Sequence, residues 1–382
     1  MKALPYIAFL LLFLSSCQPA QQHNEQKGII RLAMDPAHLP PIAKLSEIAK
    51  SIRIVPLETN PGCLIGSTSH LYVGRNSILI STSGGENNLM HFTSEGKFLN
   101  KIGSVGKGPG EYSDVNDMSV FENPLKVLIY PSSRHKILDY SFNGKLNREI
   151  TRWKGLDDPK ALNDNQIGSI SFKDYEFVII NSLTSDTIKY IKVTPATISG
   201  IRSLGGNSAT GFYYTAIGRD TIWQFIGNSM QPKIICDFGT GHYSSQDYMK
   251  SVLGGQEFQP GKISIAAGNV FQGSGYYHIY LMRENSNKQY LYAHVLIEEK
   301  TNKSWHFAEG PESDDILFCT STDFRTVASS GEWVSVVGAR ELIEALPKIK
   351  ANKNFRYPPE FIAQIEKMTV DDNPVIVFYT LK

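Results

Sequence analysis

The chain is poor in cysteine, has no excess of charge of either sign, and shows no apolar run of membrane-spanning length. Its 382 residues include 38 basic and 37 acidic side chains, giving a net charge of +1. That balance gives no electrostatic case for binding nucleic acid, which requires a basic face. The apolar run from Ala3 to Leu14 has about twelve residues, whereas a spanning helix needs about 20. These shortages exclude a transmembrane protein of the helical kind and argue against a nucleic-acid partner.

Cysteine use and motif content argue against the common metal and enzyme sites. Beyond Cys17, the three cysteines Cys63, Cys236 and Cys319 share no metal-type spacing, and their odd number leaves at least one thiol unpaired. We expect all three to be small buried residues. No His-Glu-x-x-His motif, EF-hand loop or Gly-x-Ser-x-Gly elbow is present. We therefore assign no catalytic residue and expect no cofactor.

Adjacent carboxylates recur in the chain as Asp157-Asp158, Asp314-Asp315 and Asp371-Asp372. In a strand, neighbouring side chains face opposite ways, so such pairs cannot act together as an acid and a base. We interpret them as solvated turns.

The N-terminus has the composition of a secretion signal, with an apolar run followed by small residues and a cysteine. The passage Leu14-Ser15-Ser16-Cys17 resembles the lipobox of bacterial lipoproteins, in which the cysteine is acylated and becomes the first residue. We predict a signal peptide over residues 1–16 and lipidation of Cys17. Residues 17–50 are then a lipid-anchored tether and N-terminal segment, since the Gln- and Asn-rich start of this region cannot bury enough apolar surface to fold.

A phrase of eight residues occurs twice in the chain, 48 residues apart. His91 to Phe98 (HFTSEGKF) is repeated as Asp139 to Leu146 (DYSFNGKL), with Gly96 and Gly144 in equivalent positions. Each copy reads as strand, glycine turn and strand. A period of about 40–50 residues built from hairpins is typical of propeller blades.

From Ile52 onward, short runs of β-branched and aromatic residues alternate with Gly, Asn, Asp and Ser turns. Without the helical stretch at residues 339–373, the propeller sequence has about 297 residues, and division by the 48-residue offset gives about six blades. Seven blades of about 42 residues each are the alternative. We predict an all-β fold, a six-bladed β-propeller over residues 51–382. The sixth blade takes strands at Ile316 to Cys319, Glu332 to Val337 and Pro374 to Leu381.

A short two-helix insertion, at about residues 339–368, interrupts the last blade. The first helix is predicted from Ala339 to a stop at Pro347, and the second from Pro359 to Met368. A ring must close, so we predict that Ile52–Leu57 and Val375–Leu381 occupy neighbouring positions in one sheet, which removes exposed sheet edges.

The passage Gly103 to Tyr112 (GSVGKGPGEY), between the first two blades, resembles the entrance of an NHL repeat. From about Arg53 to Lys382 the chain resembles, more specifically, the six-bladed β-propeller lipoproteins of Bacteroidetes. Four further passages carry this resemblance: Ile54 to Thr59 (IVPLET), Asp220 to Trp223 (DTIW), Cys236 to Gly239 (CDFG) and Asp371 to Val375 (DDNPV). The later blades diverge from the NHL pattern, which weakens any transfer of partner type.

The glycine loop has two interpretations. It is not a phosphate cradle, because Pro109 removes an amide donor and the loop does not join a strand to a helix. The first interpretation is a tight crossover from an outer strand to the next inner strand, with Tyr112 packed between the blades. The second is a binding rim, formed by Gly106, Gly108, Pro109, Gly110, Glu111, Tyr112 and Arg134.

A metal site on the axis is a further alternative, because some propeller enzymes collect one or two ligands from each blade there. The candidate axial positions, chosen by where they fall within each blade repeat, are His70, Asp117, His242 and Asp323. The competing interpretation of each is a single surface or hydrogen-bonded residue.

The sequence favours a non-catalytic binding or scaffold module for a protein or a glycan. Numerous aromatics could stack on sugars or anchor a protein, although many will pack between sheets. The resemblance implies attachment to the outer membrane through the N-terminal lipid, and the lack of an acidic run after Cys17 favours the periplasmic side over the alternative, the cell surface. The alternative is a metal-dependent propeller hydrolase or lyase with ligands on the central axis.

Overall fold

The computed structural model describes residues 28–36, 39, 41–84, 86–132, 136–150, 156–163, 165–171, 176–184, 186–192, 202–207, 211–226, 229–254, 261–284, 290–308, 312–319 and 323–382. Their strands form six sheets, which follow one another along the chain as the blades of a propeller. The six-bladed fold predicted from the sequence is therefore confirmed. Among the helices of these residues, none is both long enough and apolar enough to cross a membrane.

Two strands and a short helix precede the first blade: β1 (Ile30–Ala33), α1 (Leu45–Ile48) and β2 (Ala49–Pro56). Blades 1 to 3 are four-stranded antiparallel sheets, numbered from the inside outward. They contain β3 (Ser67–Val73), β4 (Ser77–Ser83), β5 (Leu89–Thr93) and β6 (Phe98–Ile102); β7 (Asp117–Glu122), β8 (Leu125–Tyr130), β9 (Ile137–Ser141) and β10 (Leu146–Ile150); and β11 (Leu156–Asn163), β12 (Gln166–Ser171), β13 (Glu176–Asn181) and β14 (Thr187–Lys192).

Blades 4 to 6 carry the additions to this plan. Blade 4 contains β15 (Arg202–Asn207), β16 (Gly211–Ala216), β17 (Thr221–Ile226) and β18 (Ser229–Asp237), and α2 (Ser245–Gly254) follows it. Blade 5 contains β19 (Ile263–Ile265), β20 (Phe271–Gly273), β21 (Tyr276–Glu284), β22 (Tyr290–Glu298) and β23 (Ser304–Ala308). Blade 6 contains β24 (Thr326–Val327), β25 (Trp333–Val337) and β26 (Val375–Leu381), with α3 (Ala339–Ala351) and α4 (Pro359–Glu366) between β25 and β26.

The backbone conformation of two glycines explains why the eight-residue motif occurs twice. Gly96 and Gly144 have φ angles of 84° and 85°, in the hairpins that join the third and fourth strands of blades 1 and 2. The hydrogen bonds match as well, because Thr93 N–H donates to Lys97 O at 2.8 Å and Ser141 N–H donates to Lys145 O at 3.0 Å. A side chain at either glycine would be strained, so this residue recurs with the period of the blade.

The ring closes by pairing the two ends of the propeller sequence. Strand β2 pairs antiparallel with β26, with Ile54 opposite Val377 and Pro56 opposite Val375. This confirms the predicted closure. The N–H of Lys382 also donates to Ile48 O at 2.9 Å, which ties the last residue to the end of α1.

The sixth blade differs from the prediction in its innermost strand. Residues 316–319 form turns around the Asp314 side chain, which accepts hydrogen bonds from the N–H groups of Ile316, Leu317 and Cys319 at 2.8 to 3.1 Å. Asp314 is 1% exposed, so the interpretation of this carboxylate as a solvated turn residue was wrong. The innermost strand is β24 instead.

The helix predicted to stop at Pro347 continues to Ala351. Pro347 removes one backbone hydrogen bond, but Leu342 and Ile349 on either side of it are both fully buried in the core of blade 6. Tertiary packing therefore outweighs the helix-breaking effect of this residue.

Three elements near the fourth blade were not predicted. Strand β1 adds to the outer edge of blade 4 in parallel with β18, with Leu32 opposite Cys236. Strand β15, which contains two glycines, and helix α2 also escaped detection because neither carries a strong apolar period. Cys63, Cys236 and Cys319 are free and buried, as expected.

Removing residues 375–382 should unfold the propeller rather than trim it. The truncation deletes β26, which lies between β2 and β25, and leaves both without their partner. We expect loss of the cooperative melting transition in circular dichroism.

The matched control is Thr380→Ala, which alters the exposed residue of the same strand. It should change stability by less than about 0.5 kcal/mol. A truncated protein that melts like the full chain would contradict the closure by β26.

Candidate functional site

A cavity of about 620 Å³ lies where the innermost parts of the six blades meet. The innermost strands form a closed ring in which each contacts the next, from β3 through β7, β11, β15, β20 and β24 and back to β3. Every blade contributes to the wall. Representative lining residues, in blade order, are His70, Asp117, Lys160, Gly206, Tyr280 and Arg325. We call this space the axial cavity.

An ion-pair cluster at the wall of the axial cavity joins blades 2, 3 and 4. The ammonium of Lys160 lies 2.5 Å from Asp117 Oδ2 and 3.3 Å from Asp158 Oδ1. Asp158 Oδ2 in turn accepts hydrogen bonds from the Leu204 N–H at 2.5 Å and from the Ser203 hydroxyl at 2.9 Å. Lys160 thus joins its own strand to blade 2, and Asp158 joins the same strand to blade 4.

Hydrogen bonds between uncharged groups, and one from an arginine, connect blades 4, 5, 6 and 1 in turn. Between blades 4 and 5, the Thr215 hydroxyl donates to Gly268 O at 3.1 Å. Between blades 5 and 6, the Tyr280 hydroxyl donates to Phe324 O at 3.4 Å. Between blades 6 and 1, the Arg325 guanidinium donates to Ser69 O at 3.2 Å.

Burial sets the charges of the cluster. It raises the pKa of Asp117 to about 7, even with Lys160 beside it. Burial opposes the charge on Lys160 as well, but the two carboxylates outweigh it and raise the pKa of the ammonium. The pKa of Asp158 is lowered, because the ammonium and the Leu204 N–H offset the burial of this carboxyl group. Lys160 and Asp158 therefore stay charged at neutral pH, whereas Asp117 titrates there.

His70 completes the cluster on the side of blade 1. Its Nδ1 atom lies 3.9 Å from Asp117 Oδ1. Burial and the nearby Lys160 lower the pKa of His70 to about 4. The imidazole of His70 is therefore neutral at physiological pH and offers hydrogen bonds rather than charge.

Two buried histidines lead from the axial cavity into blade 5. His278 Nε2 and His294 Nδ1 are 3.1 Å apart, and His294 Nε2 lies 3.2 Å from Asp323 Oδ1. Burial and the adjacent His294 keep the pKa of His278 well below its ordinary value. The pair places the His294 ring against Asp323.

The structure brings together three of the four candidate axial positions. His70, Asp117 and Asp323 line the cavity, but His242 stacks on Phe238 at a ring distance of 5.2 Å and is not part of the lining. Within the described part of the chain, no group of three His, Cys, Asp or Glu side chains is arranged to hold a metal ion.

Sequence reasoning missed Lys160, Asp158 and Arg325. Asp158 was interpreted as a solvated turn residue, and this was wrong, because it belongs to β11 and contacts a lysine that is 8% exposed. The available signal was the opposite charge of Asp158 and Lys160, two residues apart in a strand, where side chains share a face.

The glycine loop lies away from the axial cavity, on the crossover from outer strand β6 to inner strand β7. Tyr112 is fully buried between blades 1 and 2, and its hydroxyl donates to Ile102 O at 2.7 Å. This is the packing that the first interpretation predicted. The N–H groups of Gly108 and Gly110 donate to Glu111 and Glu149 at 2.8 and 2.9 Å.

Gly106 and Pro109 do not line the cavity. Gly106 N–H donates to Tyr112 O at 2.9 Å, and Pro109 lies within the same loop. Arg134 and the lipidation candidate Cys17 lie outside the described residues. The binding-rim interpretation stays a prediction.

Comparison with known proteins identifies relatives of the whole fold. A family model, described as Domain of unknown function (DUF4934), matches residues 29–380. A crystal structure from Bacteroides fragilis, of a protein named as exported, is 18% identical, with a TM-score of 0.71 over 93% of this chain and 99% of that one. At this identity the likeness shows the propeller fold alone.

Two other solved structures are more distant. A DUF4221 family member from Bacteroides vulgatus is 11% identical, with a TM-score of 0.49 over 87% of this chain and 97% of that one. Virginiamycin B lyase from Staphylococcus aureus is 9% identical, with a TM-score of 0.44 over 87% and 99% of the two chains. Scores this low carry no functional argument. No curated protein matches the sequence.

Replacing the buried lysine of the cluster should destabilise the protein strongly. Lys160→Met leaves Asp117 and Asp158 without their counter-ion at sites that are 10% and 22% exposed. Uncompensated buried charge costs about 3–5 kcal/mol, which should appear as a lower urea midpoint. Adding Asp117→Asn and Asp158→Asn to this variant should recover part of the loss.

Lys350→Met provides the control, because Lys350 pairs with Glu366 at 2.5 Å where both side chains are about half exposed. Such surface pairs contribute at most about 1 kcal/mol. Equal losses for the two lysine variants would show that the axial cluster does not bear on stability.

Proposed function

The chain belongs to the DUF4934 family, and we propose that it is a lipid-anchored binding module of the bacterial cell envelope. It would be held to the outer membrane, on the periplasmic side, and would bind a protein or a glycan without catalysing a reaction. The ligand would contact the axial cavity. The observation that carries this proposal is the state of the cluster of Lys160, Asp117 and Asp158 there, whose ionisable groups are engaged with one another.

The charged groups of the cavity wall support binding over catalysis. Lys160 is committed to two carboxylates, and Glu122 accepts hydrogen bonds from Tyr72 and Ser329 at 2.8 and 2.5 Å. A general acid or base must reach the substrate with a titratable group of suitable pKa. Asp117 has a suitable pKa of about 7, but its Oδ2 atom faces the Lys160 ammonium.

The proposed location in the cell envelope rests on the N-terminal sequence. The passage Leu14-Ser15-Ser16-Cys17 provides the acylation site, and the exported relative from Bacteroides fragilis agrees with a location outside the cytoplasm. Strand β1 begins at Ile30, so residues 18–29 would connect the acylated cysteine to blade 4. One acyl chain gives only weak attachment, whereas several chains anchor a protein stably.

Lipidation should depend on Cys17 alone. Cells grown with an alkyne-tagged fatty acid should yield labelled wild-type protein in the membrane fraction, and Cys17→Ser should abolish the label. Cys63→Ser, which changes a fully buried thiol, should keep it. Label retained in Cys17→Ser would contradict the anchor.

A metal test separates the binding module from the alternative of a metal-dependent hydrolase or lyase. We expect the purified mature protein to carry less than stoichiometric metal by elemental analysis, and its melting temperature to be the same with and without EDTA. Stoichiometric metal, together with a lower melting temperature in EDTA, would contradict the non-catalytic proposal and favour the enzyme.

A further inference from the structure

Part of the axial cavity wall keeps hydrogen-bonding capacity beyond its contacts between blades. Asp323 and Arg325 flank buried Phe324 and both line the cavity, as does Tyr292. Tyr292 is 43% exposed, and its ring stacks on no other ring of the described residues. We call Tyr292, Asp323 and Arg325 the open wall.

The open wall offers hydrogen-bonding capacity of both kinds. Among the described residues, Asp323 contacts His294 through Oδ1, and no contact is made by Oδ2; the side chain is 43% exposed, so Oδ2 can accept a hydrogen bond from a ligand. Arg325 donates through Nη2 to Thr68 O and Ser69 O, and forms no ion pair with any described carboxylate. Its other N–H groups are therefore available as donors, since a guanidinium carries five.

The three residues are held near one another. In the hairpin of β21 and β22, Tyr280 pairs with His294 and Met282 with Tyr292, so the pairs are adjacent on the same face. His294 contacts Asp323, and Arg325 follows two residues later. The three side chains thus line one cavity and supply it with an aromatic ring, a carboxylate and a guanidinium.

Resting on the proposed binding function, we propose that the axial cavity binds a neutral saccharide, in particular the end of a glycan chain. An aromatic face packs against the apolar face of a sugar ring, while carboxylate and guanidinium groups accept from and donate to its hydroxyls. The opposite charges of Asp323 and Arg325 cancel locally, which disfavours a strongly anionic or cationic ligand.

The size and enclosure of the cavity favour a chain end over a folded partner. Its volume of about 620 Å³ lies within the range of about 300–1,000 Å³ usual for small-molecule sites. The inner strands surround it on all sides, so a ligand must enter end-on.

The test is isothermal titration of the mature protein with neutral tetrasaccharides of glucose, xylose, mannose and N-acetylglucosamine. Trigalacturonate and a tetrapeptide serve as acidic and peptide probes. We expect at least one neutral saccharide to bind and Tyr292→Ala to weaken this binding by about tenfold or more, the effect of losing one stacking contact. Tyr292→Phe, which keeps the ring, should bind within about threefold of wild type.

Tyr190→Ala is the matched control, because Tyr190 is 58% exposed on β14, the outermost strand of blade 3. It should leave binding unchanged. Melting temperatures equal to wild type establish that each variant is folded.

The outcomes separate the ligand class from the broader function. Binding of the peptide alone, with loss in Tyr292→Ala, would leave a binding module and overturn the saccharide. Binding of trigalacturonate alone, no binding at all, or equal effects of Tyr292→Ala and Tyr190→Ala would also overturn it. Cleavage of a bound saccharide, detected by chromatography, would keep the ligand class and overturn the non-catalytic function.

Discussion

Closure of the ring is the constraint on which the rest of this structure depends. The sheets follow one another along the chain, and the sixth is completed only when β2, from the start of the propeller, pairs with β26 from its end. Without that pairing, β2 and β26 would each expose an unpaired edge. The site is therefore a property of the closed ring and not of any one blade.

The innermost strands meet this constraint with polar contacts that a core made only of apolar residues would not need. Lys160 joins three blades through Asp117 and Asp158, and smaller hydrogen bonds join the others. These groups line the cavity but are largely buried, so their charges are stable only when they are paired. The pairing also occupies Lys160, Asp117 and Asp158, which a catalyst would need to have free for the substrate. The interactions that join the blades therefore also limit the reactions that the site could catalyse.

The proposed role rests on the cavity residues that keep unused hydrogen-bonding capacity. Tyr292, Asp323 and Arg325 line the cavity with capacity to spare, and His294, itself in contact with His278, lies against Asp323. A rigid wall of this kind suits recognition, because the ligand need not order it on binding. The proposed anchor at Cys17 would place this cavity near the membrane surface, where glycan chains and other envelope components are concentrated.

The amino-acid sequence by itself determined the propeller, its six blades and the pairing of its ends. Those features follow from local periodicity and from glycines such as Gly96 and Gly144, whose positive φ angles mark the same hairpin in successive blades. It also indicated His70, Asp117 and Asp323 by blade phase. Only the tertiary structure decided that Asp117 and Asp158 face a common partner in Lys160, that Pro347 lies inside a helix, and that His242 lies away from the cavity. Such outcomes depend on contacts between blades that are distant in the chain, and a local pattern carries no information about which distant side chain will meet it.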